Sequence, residues 1–177
     1  MRQVRMVSLT EEMIVIANLA YRLNNMGYHS GNSTIVTVSS DYSSIAGQIL
    51  RHKLSYNREI CNGFSIDVPY PDQTWDDTFV NNMEQALNAN IKAVQNTTLI
   101  LVEAAVIRGG NYQFVTNFIN NLVPEAKIVT TAMYENIRSK FKSDVVGLYY
   151  DDSEYDLTFW WEEDNCHWPT LSENKPK

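Results

Sequence analysis

The residues best placed to do chemistry lie between positions 99 and 111 of the 177-residue chain. Leu99, Ile100, Leu101 and Val102 lead into Glu103, and after four further residues Arg108, Gly109, Gly110 and Asn111 open a segment with helical spacing. A carboxylate can orient hydroxyl groups, glycines let a backbone approach a ligand closely, and the N–H groups at a helix start attract anions such as phosphate. Strand, glycine turn and helix therefore read as a phosphate cradle to which Arg108 could add a cation. An ordinary tight turn accounts for a glycine pair as simply, so the rest of the chain has to supply the context.

The elements around this stretch are legible from apolar spacing. Four consecutive aliphatics over 99–102 predict a short strand buried on both faces, as in a parallel sheet, which ends at Glu103. Phe114, Val115, Phe118, Ile119 and Leu122 recur at three- and four-residue intervals and predict a helix over 112–122 packed against it. Upstream, Ser8 and Glu11 fit a capping box, and the charged first residues run into the helix it starts. That helix carries Met13, Ile16, Ala17, Ala20 and Leu23 as its stripe and stops at Gly27. A β-branched run over 34–38 predicts the first core strand, followed by the hydroxyl-rich turn Ser39, Ser40, Asp41 and Tyr42. A helix over 45–54 comes next, with Ile45, Ile49 and Leu54 on one face. Residues 64–68 alternate like a strand, Pro69 and Pro71 break the chain, and Phe79, Met83, Leu87, Ile91 and Val94 predict one helix over 74–94. Further strands are expected over 127–133, 144–150 and 157–161. Helices alternating with short buried strands predict an α/β fold: a single domain over 1–171 whose twisted, mostly parallel sheet is flanked by helices, with a polar tail over 172–177.

Composition narrows the function classes. Fourteen basic against 21 acidic residues give a net charge of −7, which argues against a general affinity for nucleic acid or an anionic membrane. No stretch of about 18 apolar residues is present to span a bilayer. Cys61 and Cys166 lie far apart and form no metal-ligand spacing, which reads as two reduced thiols in a cytoplasmic protein. His29, His52 and His167 have no motif spacing with either cysteine. Asp76 with Asp77, Asp151 with Asp152, and the acids over 162–164 read as solvated surface rather than a metal site.

The order of these parts resembles the type I phosphoribosyltransferases, nearest to the xanthine-guanine branch of the purine enzymes, over residues 34–161. In that family a strand ends in two acids, then a small hydrophobic pair, then a Thr-Gly-Gly-Thr-like loop around the 5-phosphate of phosphoribosyl pyrophosphate. Glu103 matches the first acid, Ala104 stands in place of the second, and Arg108, Gly109, Gly110 and Asn111 match the loop. Residues 124–130 are similar to the turn and strand that follow, 144–147 to the purine-site strand, and 159–162 to the family's aromatic and acidic ending. The resemblance implies that Glu103 would hold the ribose hydroxyls in catalysis and that 108–111 would bind phosphate. It puts Ser39, Ser40, Asp41 and Tyr42 at the pyrophosphate-loop position and offers Tyr149, Tyr155 or Trp160 to stack a base. Magnesium (Mg2+) would be the cofactor of an active enzyme, and the family's habit implies a homodimer.

Three departures touch the chemistry. Asp41 puts an acid where the family's pyrophosphate loop carries a basic residue with two glycines, Ala104 has no ligating atom, and Glu135 occupies the place of the lysine that reads the purine's exocyclic oxygen. Like charges gathered around a polyanion repel it. The reading that follows is a phosphoribosyltransferase-like protein that keeps the 5-phosphate loop as a non-catalytic module binding a nucleotide or phosphorylated sugar. The alternative is an active enzyme moving phosphoribose from phosphoribosyl pyrophosphate to a purine-like or other base.

Overall fold

The structure, a computed structural model, describes residues 3–39, 43–69 and 75–159. The chain opens with a strand, β1 (Gln3–Val7), where the sequence reads as the approach to a helix. Its partner is β7 (Tyr155–Phe159), paired in parallel from Gln3 against Tyr155 to Val7 against Phe159. Five residues whose partner lies about 150 positions away leave no local pattern that would announce a strand.

Helix α1 (Leu9–Asn25) begins where the capping box predicts, with Ser8 Oγ accepting the Glu11 N–H at 3.2 Å. The reciprocal half of the box is replaced, since Glu11 Oε1 accepts from Arg5 of β1 at 2.6 Å. At the other end Gly27 takes φ +88°, and the N–H groups of Gly27 and Tyr28 return to the carbonyls of Asn24 and Leu23. This Schellman closure needs a left-handed residue, which glycine adopts without steric cost. The buried stripe is Val15, Ile16, Leu19, Ala20 and Leu23, so the inward face is rotated from the expected one and leaves Met13 outside.

Five parallel strands form the main sheet in the order β3-β2-β4-β5-β6. They are β2 (Ser33–Ser39), β3 (Asn62–Asp67), β4 (Thr98–Val106), β5 (Lys127–Asn136) and β6 (Val145–Tyr150). Helices α1 and α2 (Ser43–Lys53) cover one face, where Leu19, Leu23 and Leu50 meet Ile35, Ile100, Val102 and Met133. Ala46, Leu50 and Leu54 carry the α2 contact, while Ile45 is exposed. The other face is covered by α3 (Asp77–Ala89), α4 (Ile91–Asn96) and α5 (Gly110–Leu122), through Met83, Leu87, Val94, Val115 and Ile119. The single helix expected over 74–94 is thus two, broken at Asn90 (φ −113°, ψ 19°). Its apolar spacing runs on across the break because both pieces pack on the same face.

The central strand is longer than its aliphatic run. Beyond Leu99, Ile100, Leu101 and Val102, all fully buried, Ala105 and Val106 continue to pair with Tyr134 and Glu135 of β5. Glu103 therefore lies within β4 and does not end it. The return from β5 to β6 has no helix. Residues 137–144 make it, and Asp144 Oδ2 anchors them by accepting the Thr130 N–H at 2.8 Å and the Thr130 hydroxyl at 3.0 Å. No helix among the described residues is long and apolar enough to cross a membrane.

Tyr112 fastens α5 to the sheet. Its ring is fully buried, and its hydroxyl donates to the carbonyls of Leu101 in β4, at 3.2 Å, and of Thr131 in β5. Tyr112→Phe keeps the ring and removes only this clamp, so the protein should lose about 1–2 kcal/mol, measured as a lower urea midpoint with an unchanged m value.

Candidate functional site

In an open parallel sheet the loops beyond the carboxyl ends of the strands form the natural ligand crevice. Here β4, a turn at 107–109 and the start of α5 meet at that edge. Gly109 has φ +79°, and a Cβ built on it would lie 2.1 Å from Cβ of Phe141, so both backbone and space require glycine. Gly110 differs: it is exposed, and a Cβ there would meet nothing within 4 Å. The first i−4 bond of α5 runs from the Gln113 N–H to Gly109. The N–H groups of Gly110, Asn111 and Tyr112 precede it, and no side chain caps them. A 13-residue helix thus presents its positive end behind a glycine with open space around it. Arg108, next in line, is exposed and makes no hydrogen bond or ion pair among the described residues.

Glu103 faces the same end of α5. Asn111 Nδ2 donates to its Oε1 over a long 3.4 Å, while Oε2 is shut off from solvent without a partner. Burial raises this carboxyl from its ordinary value near 4.5 to about 8, and the Asn111 contact offsets only part of that. Glu103 consequently carries a proton at neutral pH. Ala104 turns away from it and packs against the core beneath α1 and α2.

The other expected positions divide. Ser39 is the last residue of β2, two beyond the pair of Thr37 with Val102, and is paired with Asp67 of β3. Ser40, Asp41, Tyr42 and Trp160 lie outside the described residues. Tyr149 sits exposed on β6, paired with Glu135 and separated from β4 by β5. Tyr155 belongs to the separate two-stranded sheet. The structure brings together Glu103, Arg108, Gly109, Gly110 and Asn111 at the start of α5, and places Tyr149 on a strand two removed from β4.

Several residues that shape this edge carried no sequence signal. Phe141 covers Gly109 and packs on Tyr112 with ring centroids 5.3 Å apart, while Asn136 Nδ2 donates to the carbonyl of Ile107 at 3.3 Å. The β5–β6 connection thus clasps the glycine turn from outside. Glu135, near the end of β5, is fully buried beneath it, with Oε2 accepting the Ser143 N–H at 2.8 Å and Oε1 lying 3.5 Å from Lys142 Nζ.

The remaining nucleophile and metal candidates have structural duties. Cys61 is buried, donates to the Ser33 carbonyl at 3.1 Å, and its thiol is pushed up by burial, the reverse of nucleophile activation. His29 stacks on Tyr56 at 4.6 Å, Asp76 caps α3 through the N–H groups of Thr78 and Phe79, and Asp151 accepts from Ser153 and pairs with Arg138. Among the described residues no three His, Cys, Asp or Glu side chains gather in a metal-binding group.

Two expectations check this geometry. Gly109→Ala should destabilise the fold by about 2–3 kcal/mol through left-handed strain and collision with Phe141, whereas Gly110→Ala should shift the thermal midpoint by little. Glu103 has a folded pKa above its unfolded value, so the folded state holds the extra proton, and stability falls as pH rises from about 4.5 to about 8. Glu103→Gln removes that titration. Its stability relative to the parent should rise by about 3 kcal/mol between pH 5 and pH 8, read from urea unfolding at the two values.

No protein-family model matches the sequence, and no curated protein matches it. Solved structures match the fold. Helicobacter pylori xanthine-guanine-hypoxanthine phosphoribosyltransferase is 15% identical with a TM-score of 0.62, covering 92% of this chain and 95% of its own. A purine phosphoribosyltransferase from Pyrococcus horikoshii is 14% identical with a TM-score of 0.65, over 91% of this chain and 95% of its own. A hypothetical protein from Neisseria gonorrhoeae with bound ppGpp is 14% identical with a TM-score of 0.65, over 93% and 92%. Five parallel strands flanked by helices, matched over nearly the whole length of two purine phosphoribosyltransferases, give this chain the fold of the type I phosphoribosyltransferases.

Proposed function

We propose that this chain is a non-catalytic binding module that takes the phosphate of a nucleotide or phosphorylated sugar on the opening turn of α5. The observation that carries this reading is the uncapped turn itself: N–H groups of Gly110 and Asn111 behind a left-handed Gly109, with open space at Gly110 and an unpaired Arg108 alongside. Backbone donors and a guanidinium together suit a phosphate dianion. The Neisseria protein of the same fold has ppGpp bound, which supports a nucleotide as the ligand class.

The magnesium that purine phosphoribosyltransferases use fits these residues poorly. Glu103 prefers its proton, and Ala104 offers a methyl group to the core instead of an oxygen to a metal. Magnesium takes an octahedral shell of oxygens, commonly with one or two carboxylates among them. Glu103, protonated and with Oε2 shut off from solvent, adds no negative charge near a phosphate held on the same helix end.

Calorimetry with ribose 5-phosphate, a nucleoside 5′-monophosphate, and phosphoribosyl pyrophosphate with and without magnesium tests this. The monophosphates should bind with affinity indifferent to magnesium. Gly110→Val should remove that binding with little change in thermal midpoint, and Arg108→Ala should weaken it about tenfold. Magnesium-dependent binding of the pyrophosphate compound, or release of pyrophosphate on adding a base, would establish the active enzyme instead. Absence of all binding would sink both readings.

A further inference from the structure

A second polar recess lies at the opposite edge of the sheet, where β2 and β3 begin and α3 breaks into α4. It is a groove of about 590 Å³, within the range of small-molecule sites. Its charged lining is Arg51 and Lys92, and no acidic side chain contributes although the chain carries net −7. Neither cation forms an ion pair among the described residues.

Arg51 is held in place for a ligand. From the last turn of α2 its Nε donates to the Cys61 carbonyl at 2.8 Å and its Nη1 to Gln48 Oε1 at 3.0 Å, leaving Nη2 without a partner among the described residues. Its stem crosses β3 at Gly63, where a Cβ would stand 2.8 Å from Arg51 Cδ and 2.9 Å from the Ile35 carbonyl. A side chain at that position would displace the guanidinium, so the bare backbone sets the arginine's path. A preset guanidinium loses less freedom on binding than a mobile one. Opposite it, the break between α3 and α4 supplies Asn90, Ile91 and Lys92, an apolar side chain between a polar and a cationic one.

We propose that this groove binds a compact phosphorylated small molecule, with its phosphate between Arg51 and Lys92 and its body against Ile91. The groove lies about one strand length from the α5 turn, roughly 30 Å along β4, and the inference stands independently of the function proposed for that turn. Two anionic ligands could therefore occupy one chain at the same time.

Backbone amide NMR titration of the full chain with inorganic pyrophosphate, carried out in the Gly110→Val background to silence the α5 turn, tests the assignment. Amides of residues 62–63 and 90–93 should shift together and saturate. Lys92→Gln, an exposed change that should leave the fold intact, should weaken that binding about tenfold. Arg51→Lys, which keeps the charge and loses the planar fork, should weaken it as well. Absence of saturable shifts in these two segments, or equal affinity in Lys92→Gln, overturns the site. Citrate binding there as tightly as pyrophosphate overturns the phosphate assignment.

Discussion

The structure depends on the pairing of β4 with its neighbours on both sides. Leu99, Ile100, Leu101 and Val102 are fully buried between two helical layers, and each backbone group of that run is bonded within a parallel sheet that water does not reach. Strand β4 delivers Glu103 and the glycine turn to the carboxyl edge, and β5 delivers the connection that closes over them. The Tyr112 hydroxyl is shared between β4 and β5, so the position of α5 reports the register of the two central strands. A site on such a helix is as fixed as the sheet beneath it.

The glycine turn is held from a second direction. Phe141 occupies the space that a side chain at Gly109 would take, and Asn136 ties the Ile107 carbonyl to the end of β5. With Asp144 bound back to Thr130, the 137–144 segment is pinned at both ends and in the middle. The buried Glu135 of β5 is spent on the Ser143 N–H and on Lys142, which ties the segment back to the strand before it. Gly109 and Gly110 look equivalent in the sequence, yet one is demanded by packing and the other by nothing in the protein. Only the second leaves its space for a ligand.

The fold was legible where it rests on apolar spacing. The runs at 34–38, 99–102 and 127–133 are strands because aliphatic and β-branched residues had to be buried there, and the order of parts carried the resemblance to the phosphoribosyltransferases. What was missed has no local cause. The β1–β7 pair joins the two ends of the described chain, and the last residues of β4 look like a strand end because Glu103 and two alanines interrupt the aliphatic pattern. The break at Asn90 hides because both helical pieces keep the same buried face. A ligand at the candidate site is the reading proposed above; of that site, the grouping of Glu103 with residues 108–111 was legible. The state of Glu103 was not, since it is set by burial, and neither Phe141 nor Asn136 could be assigned to the turn without the course of the chain between β5 and β6.

Proton affinity at Glu103 bears directly on whether the proposed site would suit binding or catalysis. An ionised carboxylate there would repel a phosphate held on the same helix end, at about 3 kcal/mol for unit charges about 5 Å apart in a partly buried setting. Catalysis at such a position tolerates that repulsion only when a cation is shared between the acid and the ligand, and Ala104 withholds the second carboxylate that would help fix one. With burial raising Glu103 to about 8 and Asn111 bridging it to α5, Glu103 itself is neutral at physiological pH, and Arg108 is the charged side chain next to the turn. A phosphate at the proposed site would meet a helix dipole and a guanidinium with no ionised acid among Glu103 and residues 108–111. On the proposed reading, an alanine at 104 and a buried, protonated acid at 103 leave neither carboxylate to repel a phosphate at this end of α5, so holding one there would not require a metal.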